Sequence, residues 1–71
     1  MTDDDLTRMT KQIAEFFAPY GHEASVDGIA EHIRNFWDPR MRAALLGKAD
    51  QDPDALLPVV LEAAKKLATP R

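Results

Sequence analysis

Apolar residues recur along this chain at steps of three and four, the spacing of one face of a helix. Leu6, Met9, Ile13, Phe16, Phe17 and Tyr20 trace such a face, and Pro19 with Gly21 closes it. A first helix is therefore predicted over about residues 3–18. Thr2 and Asp5 stand at capping-box spacing, and Asp3, Asp4 and Asp5 suit the positive end of the helix dipole. A second helix is predicted from about Glu23 to Phe36. Its buried stripe is Val26, Ile29, Ala30, Ile33 and Trp37, with Phe36 beside it; Asp27, Glu31 and Arg34 lie on the wetter side. Gly28 in mid-helix costs up to about 1 kcal/mol relative to alanine. It marks either simple tolerance or the close approach of another backbone.

Asp38-Pro39 is a stop-and-restart signal. Proline disfavours helical geometry in the residue before it and suits the first turn of a new helix, with Asp38 as N-cap. A third helix is predicted over about Pro39 to Lys48, with Met41, Ala44, Leu45 and Leu46 as its apolar positions and Gly47 weakening its end. Asp50 to Pro53 reads as a linker. Leu57, Val60, Leu61, Ala64, Leu67 and Ala68 then trace a fourth helix, and Lys65 and Lys66 suit its C-terminal end. Either that helix begins near Pro58 or a single turn from Pro53 feeds into it, with a kink or break at the proline. No strand-like alternation and no repeat occur. Short connections favour neighbouring, roughly antiparallel helices. The expectation is an all-α fold, a small bundle of three to four short helices, with residues 1–71 as a single helical domain. The first, second and fourth helices should make its core.

Length and charge narrow the function. A chain of 71 residues buries only about 60% of the surface its unfolded form exposes, which argues against a deep, self-contained catalytic pocket. Nine basic against twelve acidic residues leave a net charge of −3, whereas a domain that grips phosphates normally carries a basic excess. Nucleic acid is thus not the expected partner. Cysteine is absent, so this chain has no disulfide, thiolate zinc site, iron–sulfur ligand or thiol nucleophile. The longest apolar run, Ala55 to Leu61, is interrupted by Pro58 and falls far short of the roughly 18 residues of a membrane span. Asp3, Asp4 and Asp5 stand where a signal peptide carries positive charge, so the expected compartment is the cytoplasm.

Few residues offer chemistry. His22 and His32 lack the i, i+4 spacing that sets two metal ligands on one helical face. Asp50, Asp52 and Asp54 alternate as in a calcium loop, but the sixth and twelfth positions hold Ala55 and Leu61 instead of glycine and glutamate. Ser25 near a helix start suggests a carrier domain, yet Ala24 stands where the aspartate of a modified Asp-Ser-Leu would be. Gly21, Gly28 and Gly47 are isolated, so no phosphate loop exists. Neither catalysis nor a cofactor in this chain is expected. The informative stretch is Ile33 to Arg42, two aromatics and three arginines around a proline-fixed corner. Tryptophan and arginine dominate interface hot spots, and arginine's planar fork fits carboxylates. Phe36 reads as core on the ordinary interpretation. Arg34, Trp37, Asp38, Arg40 and Arg42 are the candidate partner-binding residues.

The run Gly28-Ile29-Ala30-Glu31-His32-Ile33-Arg34-Asn35-Phe36-Trp37-Asp38-Pro39-Arg40-Met41-Arg42 resembles the signature of the delta subunit of NAD-dependent formate dehydrogenase. Leu6 to Ile13, followed by Phe16-Phe17, is similar to that family's first helix, and the resemblance covers about residues 5–70. It implies a small accessory subunit of a cytoplasmic molybdenum- or tungsten-dependent complex. In such a complex the large alpha subunit holds the pterin cofactor, and clusters and a flavin subunit pass electrons to NAD. It further implies a chain without redox centres, bound to that alpha subunit and supporting assembly or stability. The rival reading from the residues is a helix-turn-helix-like nucleic-acid binder, which needs the arginines to converge on one face.

Overall fold

The segments with helical spacing fold as helices. The structure, a computed structural model, describes residues 3–68. These contain α1 (Asp3–Phe17), α2 (His22–Phe36), α3 (Pro39–Gln51) and α4 (Pro58–Ala68), with 3-10 turns at Ala18–Tyr20 and Pro53–Ala55 and no strand among the described residues. The fold is all-α, as the periodicity predicts. Thr2, one half of the expected capping box, lies outside the described residues.

Each break between helices has a local cause. Pro19 has no N–H to donate back to α1, so the chain tightens into the 3-10 turn. Gly21 follows at φ 92°, a conformation that strains any residue with a Cβ. Ser25 Oγ then donates to the Phe17 carbonyl at 2.7 Å, satisfying an acceptor at the open end of α1. At the next break Asp38 Oδ1 accepts the Met41 N–H at 2.8 Å, and Pro39 opens α3. α3 continues past Gly47 to Gln51, about a turn beyond the expected end near Lys48. Gly47 weakens a helix by only about 1 kcal/mol and carries no other stop signal, whereas Pro53 ends the segment outright. Both expectations for Pro58 are met in part. Pro53–Ala55 forms its own turn, Leu56 leaves helical geometry at φ −112° and ψ 147°, and α4 starts anew at Pro58.

The most extensive packing is between α2 and α4, and α1 lies against both. Leu6, Ile29, Ile33, Leu45 and Val60 are fully buried. Trp37, Val26, Leu56 and the small residues Ala14, Ala30, Ala63 and Ala64 complete the core. Two surface pairs, His22 with Glu62 and Lys66 with Asp27, fall in the same order along α2 and α4. These two helices therefore point the same way, and α3 runs back from the end of α2 toward the start of α4, packing on α4. A radius of gyration of 10.9 Å matches the roughly 11 Å of a compact chain of this length.

The inward face of α1 differs from the expected one. Leu6, Thr10 and Ala14 are buried, Met9, Ile13 and Phe17 are half-buried, and Phe16 and Tyr20 face solvent. Thr10 is tolerated inside because its hydroxyl donates to the Thr7 carbonyl at 2.8 Å. A further correction concerns Phe36, which is exposed rather than core.

Gly28 does mark a close approach, of a ring rather than a backbone. A Cβ placed there would lie 2.5 Å from Phe17 Cε1. Gly28→Ala should therefore cost about 1 kcal/mol net, as overpacking of roughly 1–3 kcal/mol outweighs a helix-propensity gain of about 1 kcal/mol. In a Phe17→Ala background the same change should stabilise by up to about 1 kcal/mol. Urea unfolding of the four variants checks this; an unchanged sign in the two backgrounds would remove the ring contact as the reason for glycine.

Candidate functional site

The corner between α2 and α3 is rigid. Trp37 leaves helical geometry at φ −90° and ψ 140°, its N–H still bonded to the Ile33 carbonyl at 3.0 Å. Asp38 stays extended and caps α3. Arg42, one turn into α3, reaches back and donates from Nη1 to the Arg34 carbonyl at 3.1 Å. That carbonyl belongs to the last turn of α2, where acceptors lack helical partners and a cation meets the negative end of the dipole. Two side chains, Asp38 and Arg42, thus fix the corner from opposite ends.

The stretch Ile33 to Arg42 does not form one patch. Successive helix residues turn by about 100°, so the run is distributed around α2. Ile33 and Trp37 point inward, and Trp37 is only 6% exposed. It supports the corner from beneath and does not itself meet solvent. His32 and Phe36 lie on the flank toward α1, their rings 5.0 Å apart. Arg34 lies on the other flank, where Pro39, Arg42, Ala43, Leu46 and Leu67 complete a groove between the corner and the end of α4. Its guanidinium pairs with Glu31 at 3.3 Å. Arg42 is half-buried, its guanidinium turned to the Arg34 carbonyl. Arg40 is exposed. Of the five candidate residues, Trp37 is core, Asp38 and Arg42 brace the corner, Arg34 is half-buried and paired with Glu31, and Arg40 is exposed.

The remaining candidates resolve simply. Ser25 is buried and holds the α1–α2 turn, so its hydroxyl is unsuited to carry a modification. Among the described residues no three His, Asp or Glu side chains gather to hold a metal ion. No helix among them is long and apolar enough to cross a membrane. Arg34 and Arg42 line one groove, and Arg40 is exposed in the first turn of α3.

Compared with known families, residues 5–64 match the family described as the NADH-dependent formate dehydrogenase delta subunit FdsD. No curated protein and no solved structure matches the chain.

The corner geometry orders the expected losses of stability. Trp37→Ala should cost roughly 3–5 kcal/mol, Asp38→Ala about 1 kcal/mol as a lost N-cap, and Arg42→Ala at most about 1 kcal/mol. Thermal melts followed by circular dichroism check the order. Equal melting temperatures for the Trp37 and Arg42 variants would show that the tryptophan does not support the corner.

Proposed function

The chain belongs to the family of NADH-dependent formate dehydrogenase delta subunits, and on that basis we propose that it is a non-catalytic accessory subunit of the complex. It binds the large alpha subunit, which carries the molybdenum or tungsten pterin centre, and supports the assembly or stability of a cytoplasmic enzyme. Family membership carries this reading. The residue chemistry supports it: without cysteine the chain has no thiolate to ligate an iron–sulfur cluster, so electrons pass through other subunits. It holds no cofactor of its own.

The corner supplies part of the contact. Arg40 projects from the start of α3, in a place set by Pro39 and the Asp38 cap. It can form charge-assisted bonds to a carboxylate or to the carbonyl end of a helix. Arg34 and Arg42 wall the apolar groove on the α4 side, where Leu46 and Leu67 can receive a side chain.

Co-expression of the dehydrogenase subunits with and without this chain tests the reading. The tagged chain should retain the alpha subunit. Its omission should lower the yield or thermal half-life of the assembled enzyme, with kcat per metal-loaded centre unchanged. Formate oxidation by the isolated chain, or purification of the chain free of every dehydrogenase subunit, would overturn it.

A further inference from the structure

α3 is the least well anchored of the four helices. Leu45 alone of its residues is fully buried, with Met41 and Ala49 partly covered at the edge of the core. α2 instead buries Ser25, Val26, Ile29, Ala30 and Ile33, and α4 buries Val60, Ala63 and Ala64. α3 packs chiefly on α4 and on the Pro53–Ala55 turn. Gly47 weakens its interior, and its charges run against its dipole. Arg40 and Arg42 stand near the positive end and Asp50 and Asp52 at the negative end, offset in part by the Asp38 cap and Lys48. The other helices place charge the favourable way. Aspartates begin α1, Glu23 stands in the first turn of α2 and Arg34 in its last, and Lys65 and Lys66 close α4. The backbone separates α3 as well. Trp37 and Asp38 are extended before it, and Asp52 leaves helical geometry after it at φ −143° and ψ 63°. No helical ladder therefore runs from α3 into α2 or α4.

We propose that α3 is a separately opening strap, which leaves α4 and unfolds while α1, α2 and α4 stay packed. Segments with few buried apolar contacts are those that open below the global unfolding free energy. A detached helix of 13 residues is marginal in water, so detachment and unfolding are one event. The chain connection permits it. As a helix α3 spans about 20 Å, and unfolded it reaches about 43 Å, so its opening does not pull α2 and α4 apart. The ties of the corner, the Asp38 cap and the bond from Arg42 to the Arg34 carbonyl, are made by folded α3. The corner is thus stiff only while the strap is closed. The groove walled by Arg34, Arg42, Leu46 and Leu67 likewise exists only in the closed form. Whatever fills that groove holds the strap shut, and an open strap withdraws the groove. The device belongs to the free chain and holds whichever partner the chain binds.

Hydrogen exchange of the full chain under native conditions, read amide by amide by NMR, tests the strap. Corrected for intrinsic rates, the amides of Leu45, Leu46 and Ala49 should exchange at least about ten-fold faster than those of Ile33 and Ala64. Their rates should also rise less steeply with urea, because opening α3 exposes less surface than unfolding the whole chain. A Cβ at Gly47 meets nothing within 4 Å, so Gly47→Ala should slow the α3 amides about five-fold. Gln12→Gly, an exposed change in α1, should speed Ile33 and Ala64 several-fold and leave the α3 amides unchanged. Equal protection and equal urea slope in α3 and the core overturn the strap, as do α3 amides that follow Gln12→Gly. Unchanged α3 rates in Gly47→Ala overturn opening by unfolding of this helix. If a variant fails to fold, the urea slopes of the wild-type chain decide alone.

Discussion

The packing of α2 against α4 is the contact on which the rest of this structure depends. Ile29 and Ile33 from α2 and Val60 and Ala63 from α4 are withdrawn from water completely. α4 meets its neighbour with small residues, Ala63 and Ala64, so the two helices can lie close without a large side chain between them. Each large aliphatic buried there contributes about 1.5–3 kcal/mol, and a chain of this length has no second core to draw on. Both ends of α2 are then tied to the adjoining helices. Ser25 binds the last carbonyl of α1, and Arg42 reaches from α3 to a carbonyl in the last turn of α2. The direction of α1 and α3 relative to the central pair follows from these two bonds and from Gly21 and Pro39.

Helices were legible in the sequence because their signals are local. The Asp38-Pro39 corner, the stripe from Val26 to Trp37 and the break before Pro58 depend on residues within a few positions of one another. The inward face of α1 was harder to read, because periodicity alone leaves a wide arc and size suggests that phenylalanines fill it. Phe16 and Tyr20 nevertheless turn outward, while Thr10 and Ala14 go in. Small residues permit α1 to approach its neighbours, and the threonine hydroxyl is satisfied within its own helix. The signal lay in the Leu6, Thr10, Ala14 spacing of four. Leu56 was missed for a different reason: it is buried from a non-helical linker, where no period applies.

The candidate site was legible as a place and not as a surface. The sequence concentrates tryptophan, phenylalanine and arginine within ten positions, and the family resemblance rests on the same run. Contiguity in sequence overstates contiguity in space, because a helix spreads neighbours around its axis. Trp37 goes to the core, His32 and Phe36 to one flank, and Arg34 to the other. The role of Arg42 could not be read without the fold, since the carbonyl it meets lies eight residues away across the corner. Nor could the groove that brings Phe16 and Phe17 of α1 beside His32 of α2, which forms only after the two helices pack.

Magnitudes decide how such a small subunit could act on a large one. Burying one phenylalanine fully is worth about 1.5–3 kcal/mol, so Phe16 and Phe36, largely exposed in the free chain, hold roughly 2–4 kcal/mol in reserve. Association costs an estimated 4–15 kcal/mol in lost freedom and side-chain ordering. These two rings alone therefore cannot hold a partner, and on the proposed reading the corner around Arg40 must add to them. On that reading no chemistry by this chain is needed for an effect on the enzyme. A chain that binds only the folded alpha subunit stabilises that fold by mass action, by about 2.7 kcal/mol when present at a hundred times its dissociation constant. On the proposed reading the coupling is reciprocal: whatever free energy the contact lends the larger subunit, it lends equally to the small core of this chain.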